Sequence, residues 1–397
     1  MIYLLQGVLI LLMGSCGIWL DKDTTKNSIF SVYSDSLCSI DFKDGSRKTM
    51  KCGHLQSRLS ADSTHCQTEN PPAQARFPNG KEALNLCQPS FFNDLSGKES
   101  IRFLVFGDSG KGQNDEKGYG QIKVAKAMDG VCRSTVEESC HFAILTGDFI
   151  YPEGLSSVWD NKANLLFENI YKEITPGFPI YLVAGNHDHL GSIVASIERS
   201  YFSNIWRYPA LHYSIDKLPK WINIYGLDTT RISESGTQQN LHQLEAVKSK
   251  FCENNGWKFA FGHHPPDASG HHNENEEIIE FLTQLNTECH LDGFFGGHEH
   301  HQEHLRHNGF DVFVQGGGGT RVRKVDMKPN FNRQRYAIAA HGFAMVEATE
   351  NEVNVYYYDA NKWEYRDNEF KRPVDSSEWV YHCKIVKGET DGCIPQT

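Results

Sequence analysis

Positive charge is in short supply in this sequence. Against 50 Asp and Glu stand 39 Lys and Arg, a net charge of −11 over 397 residues. Nonspecific nucleic-acid binding needs phosphate-neutralising cations, so this balance argues against it. It would also repel a phosphorylated ligand unless a local cation reversed the field. There is no Asn-x-Ser/Thr triplet, so N-glycosylation is not expected. There is no internal repeat and, beyond the first twenty residues, no apolar run long enough to span a membrane. Lys and Arg are missing from those first twenty too, where residues 2–13 are almost wholly apolar and run into Gly14-Ser15-Cys16-Gly17. Residues 1–20 therefore read as a secretory signal with a small-residue cleavage site. An uncleaved anchor reaching Leu20, or a lipidated Cys16 after Met13-Gly14-Ser15, is the alternative.

Cysteine, by contrast, is plentiful, with 11 in the chain. Removing Cys16 with the signal leaves an even number, as expected of a disulfide protein in an oxidising compartment. Cys132/Cys140 and Cys252/Cys289 each join the end of a predicted helix to the neighbourhood of the next strand. Cys383/Cys393 would close a loop in the tail. Cys38, Cys52, Cys66 and Cys87 have three possible pairings, which stay open. With 39% hydrophobic residues the chain can bury a large core, in one large domain or two average ones.

Residues 21–100 are polar, carry four of the cysteines and the patch Asn70-Pro71-Pro72, and read as a small disulfide-tied extension. From Ile101 the pattern changes to alternating strands and helices. Apolar runs at 101–106, 142–145, 178–184, 257–261 and 291–295 read as buried strands. Helical spacing occurs at 119–128, 158–171, 192–201, 238–251 and 274–285. A hairpin is expected around Pro219, and an antiparallel pair at 343–346 and 353–358. The alternation predicts βαβ units and largely parallel pairing.

The chemistry lies where those five strands end. They run into Gly107-Asp108-Ser109-Gly110, Gly147-Asp148-Phe149-Ile150-Tyr151, Gly185-Asn186-His187-Asp188-His189, Gly262-His263-His264 and Gly297-His298-Glu299-His300. A polar turn after one strand is common. Five donor-bearing turns at strand carboxyl ends point to one crevice, because ligands bind at those ends in open α/β sheets. Asp, Asn and His suit hard or borderline divalent ions, and a Tyr phenolate beside them favours a hard trivalent ion such as Fe3+. With Asp148 as a bridge, seven residues can serve two metals roughly 3.5–4 Å apart. His189, His301, His304 and His307 read as surface or supporting groups, and Asp188 as a helix cap or an orienter of His187. Gly316 to Gly319 read as a close backbone approach, and Trp206 and Trp221 as core.

Gly-Asp-x-Gly, Gly-Asp-x-x-Tyr, Gly-Asn-His-Asp, Gly-His and Gly-His-x-His, in this order, resemble the calcineurin-like metallophosphoesterases. Tyr151 and the run Leu182-Val183-Ala184-Gly185-Asn186-His187-Asp188-His189-Leu190-Gly191 resemble the mammalian-type purple acid phosphatases within them. The resemblance covers residues 101–366 and implies an α/β fold, a four-layer α/β/β/α sandwich with two mixed sheets. It leaves the extension and a tail at 367–397, with its disulfide, outside. It implies Fe3+ on Asp108, Tyr151 and His300, Asp148 bridging, and a second metal (Fe2+, Zn2+ or Mn2+) on Asn186, His263 and His298. His187 would sit beside the phosphate, and His271 or His272 would donate a proton to the leaving alcohol. The implied activity is a secreted acid phosphatase. Metal-activated hydroxide would attack phosphate monoesters, whether small phosphorylated molecules or phosphoproteins. A phosphodiesterase or nucleotidase is the second reading, and a phosphatase-like scaffold, which should show broken ligand positions, the third. The chain departs from the pattern at His264, where a Tyr is usual, and at Pro266-Asp267, which replaces an apolar-aromatic pair. The family's own cysteines, after Leu227-Asp228-Thr229 and near the substrate loop, are absent. Substrate preference stays open.

Overall fold

The computed structural model describes residues 37–42, 46–51, 72–76, 82–83, 94–112, 120–132, 140–172, 178–272, 274–325, 333–366, 369–371 and 379–396. The expected signal and Cys52, Cys66 and Cys87 lie outside the described residues. The chain forms two compact units, residues 1–88 and 89–397. The first contains an antiparallel sheet, in the order β2-β1-β3-β4, of β1 (Leu37–Phe42), β2 (Arg47–Lys51), β3 (Pro72–Arg76) and β4 (Glu82–Ala83).

The second unit is built on two mixed sheets. One has parallel strands β5 (Ser100–Phe106), β6 (Phe142–Leu145), β7 (Ile180–Leu182) and β8 (Trp206–Arg207). The other begins with β9 (Tyr213–Ser214) and contains the parallel strands β10 (Ile222–Gly226), β11 (Trp257–Phe261) and β12 (Gly293–Gly296). Past β12 lie β13 (Gln302–His307), β14 (Phe310–Gln315) and β15 (Gln334–Ile338), in the order β15-β13-β14-β12-β11-β10-β9. The chain then returns to the first sheet. Antiparallel β16 (Gly342–Thr349) and β17 (Glu352–Asp359) extend it beyond β5. A short pair, β18 (Glu364–Arg366) and β19 (Glu369–Lys371), precedes β20 (Tyr381–Val386) and β21 (Ile394–Pro395), which complete the edge. The tail thus donates two strands, and Cys383–Cys393 ties them. The expected Cys132–Cys140 and Cys252–Cys289 bonds are formed as well.

Strand periodicity sorts the side chains into layers. On β12, Phe295 meets Phe103 of the other sheet edge-on at 6.2 Å, while Phe294 joins the apolar cluster on the opposite face. That cluster takes Leu244, Val247 and Phe251 from helix Leu241–Phe251 and Ile278, Phe281 and Leu285 from helix Glu276–Cys289. On the far face of the first sheet, Phe106 packs on Tyr171 at 5.4 Å, and Trp206 on Phe167 at 4.7 Å. The order is helices, sheet, sheet, helices.

Three expectations are corrected. Residues 229–239 are helical (Thr229–Gln239), capped by Asp228, although the sequence pattern started the helix at 238. Trp221 is only half-buried, its indole donating to the Lys98 carbonyl at 3.3 Å. Of the two roles expected for His301, His304 and His307, surface or supporting, only the surface one is corrected, since all three are fully buried.

Candidate metal centre

Five loops leave the carboxyl ends of β5, β6, β7, β11 and β12 and meet. Asp108, Asp148 and His298 all have left-handed backbones, with φ of 58°, 52° and 67°. Such conformations cost a non-glycine residue about 1–3 kcal/mol and persist where the surroundings over-determine them. Here the loops are laced together. The Asp108 N–H donates to the Gly147 carbonyl at 3.0 Å, Tyr151 N–H to Gly110 at 2.9 Å, and His298 N–H to Asp108 Oδ2 at 2.8 Å. Glycine precedes Asn186 because carboxylate fills the space: a Cβ on Gly185 would lie 2.2 Å from Asp148 Oδ1.

Two sets of donors result. Tyr151 Oη is 3.3 Å from Asp108 Oδ1 and 3.5 Å from His300 Nε2, and the last two are 3.4 Å apart. His263 Nε2 is 3.1 Å from Asn186 Oδ1, 3.2 Å from His298 Nδ1 and 3.5 Å from Asp148 Oδ2. Asp148 has a ligand oxygen within 4.8 Å of ligand atoms of both Asp108 and His263, so it belongs to both sets. Backbone carbonyls orient the rings. His263 Nδ1–H donates to Thr146 at 2.9 Å, His300 Nδ1–H to Arg321 at 3.2 Å and His187 Nδ1–H to Pro152 at 2.6 Å. The two candidate ligand rings, His263 and His300, are thereby left with an Nε2 lone pair beside the other donors, the tautomer that metal ligands adopt.

The electrostatics call for cations. Burial, then Asp108 and Asp148, push the Tyr151 phenol well above its ordinary range. Burial, then His263 and His264, hold His298 far below its own, and burial with His263 does the same to His264, so both rings are neutral. Carboxylate, phenol, amide oxygen and imidazole, packed this closely, fit a pair of hard or borderline cations. The ligand atoms of Asp108, Asp148 and His263 lie within 4.8 Å of one another.

His187 is half-buried beside this centre, its backbone N–H on Asp148 Oδ1 at 3.0 Å and its ring 4.4 Å from that of Tyr151. The structure separates the two expected proton donors. The His272 ring stacks on His298 at 3.9 Å, whereas His271 is exposed.

Asp188 caps the helix Asn186–His189 through the Gly185 N–H, one of its two expected roles, but sequence reasoning missed that it also holds the loops. Asp188 accepts from the N–H groups of Gly185, Phe149 and Ile150 at 2.9, 3.3 and 3.1 Å, joining the second and third loops. Glu299 accepts from the N–H groups of His271 and His272 and from His272 Nδ1 at 2.8 Å. Burial pushes this carboxyl up, but the His272 ring and those two N–H groups hold it at about 2. A carboxylate between the two histidines of Gly-His-x-His was the available signal. His189 Nε2 contacts Asp228 at 3.0 Å, a supporting role. At Gly316 a Cβ would lie 2.0 Å from the Glu299 carbonyl, so that glycine does permit a close approach.

A two-metal donor set at the carboxyl ends of two facing mixed sheets defines a metallophosphoesterase, a metal-dependent phosphoester hydrolase. The chain belongs to the calcineurin-like phosphoesterase family, which matches residues 101–302. Among its relatives, purple acid phosphatase 7 of Arabidopsis thaliana is 26% identical over 66% of this chain and 83% of the relative. The tartrate-resistant acid phosphatase type 5 of Homo sapiens is 26% identical over 66% and 88%. The same fold occurs in the purple acid phosphatase PPD1 of yellow lupin, with a TM-score of 0.56 and 15% identity over 91% of this chain and 72% of that one. It occurs also in GAP50, the anchor in the inner membrane complex of Plasmodium, with a TM-score of 0.59 and 18% identity over 74% and 91%.

Proposed function

We propose that this phosphatase is of the purple acid type, hydrolysing phosphate monoesters at a dinuclear Fe3+/M2+ centre. Asp108, Tyr151 and His300 would hold Fe3+, and Asn186, His263 and His298 a divalent Fe, Zn or Mn, with Asp148 between. The observation that carries this is the Tyr151 phenol seated between Asp108 and His300, since phenolate is a donor for a hard trivalent ion. When bound, such a pair supplies Lewis-acid charge and a water that ionises in mild acid.

The chain's own residues do the rest. His187, fixed through Nδ1, presents Nε2 to an equatorial phosphoryl oxygen. His272, held through Nδ1 by Glu299, presents Nε2 to the leaving alcohol and donates its proton, a role worth roughly 10²–10⁴-fold. The geometry favours His272 over His271. The three disulfides among the described residues and the apolar leader support a secretory or lysosome-like location, with an N-terminal anchor as the alternative. Among the described residues no helix is long and apolar enough to cross a membrane. Substrates would be small phosphorylated molecules or phosphoproteins, and nucleic acid is disfavoured by the net charge of −11. The intact donor set disfavours a scaffold that has lost activity.

The test is the visible spectrum of the purified, iron-loaded chain alongside hydrolysis of p-nitrophenyl phosphate in mild acid. A charge-transfer band that vanishes in Tyr151→Phe is expected. A colourless, metal-loaded, active protein would overturn the ferric assignment and favour the phosphodiesterase reading.

A further inference from the structure

His264 is left over by this assignment. It directly follows His263, at the end of β11, and stands where the related pattern has a tyrosine. One hydroxyl, Thr229 Oγ1, accepts from the N–H groups of both His263 and His264, at 2.8 and 2.9 Å. That shared anchor bends the chain so that both imidazoles lie close together. The His264 ring is 4.9 Å from that of His263 and 4.4 Å from that of His298. It is only 8% exposed, and its Nδ1 is buried without a hydrogen-bond partner.

We infer that His264 is a further nitrogen ligand of the second metal, which makes that position rich in imidazole and selective for zinc over manganese. This rests on the dinuclear reading above and deepens it by naming the metal. One ligand atom from each of His263, His264 and His298 lies within 4.8 Å of the other two. Nitrogens on one tetrahedral zinc are ~3.4 Å apart, given Zn–N bonds of ~2.0–2.1 Å, so a side-chain shift of roughly 1–1.5 Å closes the set. A cavity of about 40 Å³, lined by His264, His298, His272 and Glu299, borders the ring, so the ring is not caged on that side.

The orphaned nitrogen argues against a packing role. A phenyl or phenol ring would fill this space without burying an unpaired polar atom, and buried polar atoms without partners are uncommon. With His264 the second site offers three imidazoles, the Asn186 amide and the Asp148 carboxylate. Imidazole suits zinc, whereas manganese is served by carboxylate, carbonyl and water.

The experiment is chelator-competition titration of the full chain with Zn2+ and with Mn2+, for the wild type, His264→Phe and His264→Asn. Zinc affinity should fall about 10–100-fold in both variants while manganese affinity stays nearly level, so that the preference collapses. Zinc and manganese affinities equal to wild type in both variants would overturn the proposal. Zinc-edge X-ray absorption of wild type carrying iron in the first site and zinc in the second needs no variant to fold: three coordinated imidazoles are expected, and two would overturn it. A wild-type chain that binds no second metal sinks the dinuclear reading itself, an outcome distinct from one that binds it with two imidazoles.

Discussion

Lys111 places its ammonium 4.3 Å from the centre of the Tyr151 ring. A cation over an aromatic face stabilises the ring electrons by about 0.5–2 kcal/mol, depending on exposure. Phenolate-to-iron charge transfer moves an electron off the ring, so the ammonium stabilises the ground state more than the excited state. Lys111→Met should therefore move the visible band of the iron-loaded protein to longer wavelength, with Lys111→Arg close to wild type. A band unmoved by Lys111→Met would mean that solvent screens the charge. Asp188 is a different case. Replacing it by Ala leaves three buried N–H groups without their acceptor, each worth about 1–3 kcal/mol. Chemical denaturation of Asp188→Ala should show a loss of about 3 kcal/mol or more, and a smaller loss would mean that water replaces the carboxylate. These two residues show what the sequence could convey at this scale. The seven side chains that gather in the crevice could be named from the sequence because metal chemistry admits few side-chain types. Asp188 was legible as a helix cap, but its hold on the Phe149 and Ile150 N–H groups, like Lys111 over a ring face, leaves no pattern in the chain.

Strands buried on both faces are the elements sequence conveys best, and β5, β6, β11 and β12 stand where their apolar runs lie. β13 is the opposite case. Its residues, Gln-Glu-His-Leu-Arg-His, look solvent-facing, yet most are buried because the polar groups pair within the fold. His304 bridges Asp311 at 2.9 Å and Tyr381 at 2.7 Å, and Glu303 holds His301 at 2.9 Å and Ser269. Such pairing, partly with distant Tyr381 and Ser269, is invisible to periodicity. Helix Thr229–Gln239 escaped for a related reason. Ile232 is the one aliphatic side chain that it buries, and Gly236, at φ 76°, interrupts it before helix Leu241–Phe251 begins. Cys252–Cys289 does at element scale what hydrogen bonds do at residue scale, tying the ends of two outer helices across 37 residues. Closing a loop of that length restricts the unfolded chain by about 3–4 kcal/mol. The paired Cys252→Ser, Cys289→Ser variant should lose about that much in equilibrium unfolding, with metal content unchanged. Loss of metal as well would show that the helices position the β11 and β12 loops.

For the whole molecule, acid is the relevant stress. His212 is pushed down to about 4 by burial and then by His242, and His307 to about 4 by burial and then by Arg333. In the unfolded chain each would titrate near 6.5. Between those values the unfolded state binds protons that the folded state refuses. Stability is therefore intact above about pH 6.5 and falls as pH drops toward 4, by about 1.4 kcal/mol per pH unit for each group. Glu299, held at about 2, adds its loss at still lower pH, so the upper window belongs to the histidines. Both lie outside the metal donor set, which separates their effect from metal binding. Metals bind the folded state and raise the whole curve by mass action, but they leave the slope due to these two side chains in place. The midpoint of thermal unfolding, followed from pH 7 to pH 4.5, should decline in metal-free and metal-loaded protein alike. His212→Asn should flatten that decline in both. An unchanged slope in the variant would mean that His212 is hydrated in the folded state, whereas a slope that vanishes on metal loading alone would place the acid sensitivity in the donor histidines of the crevice.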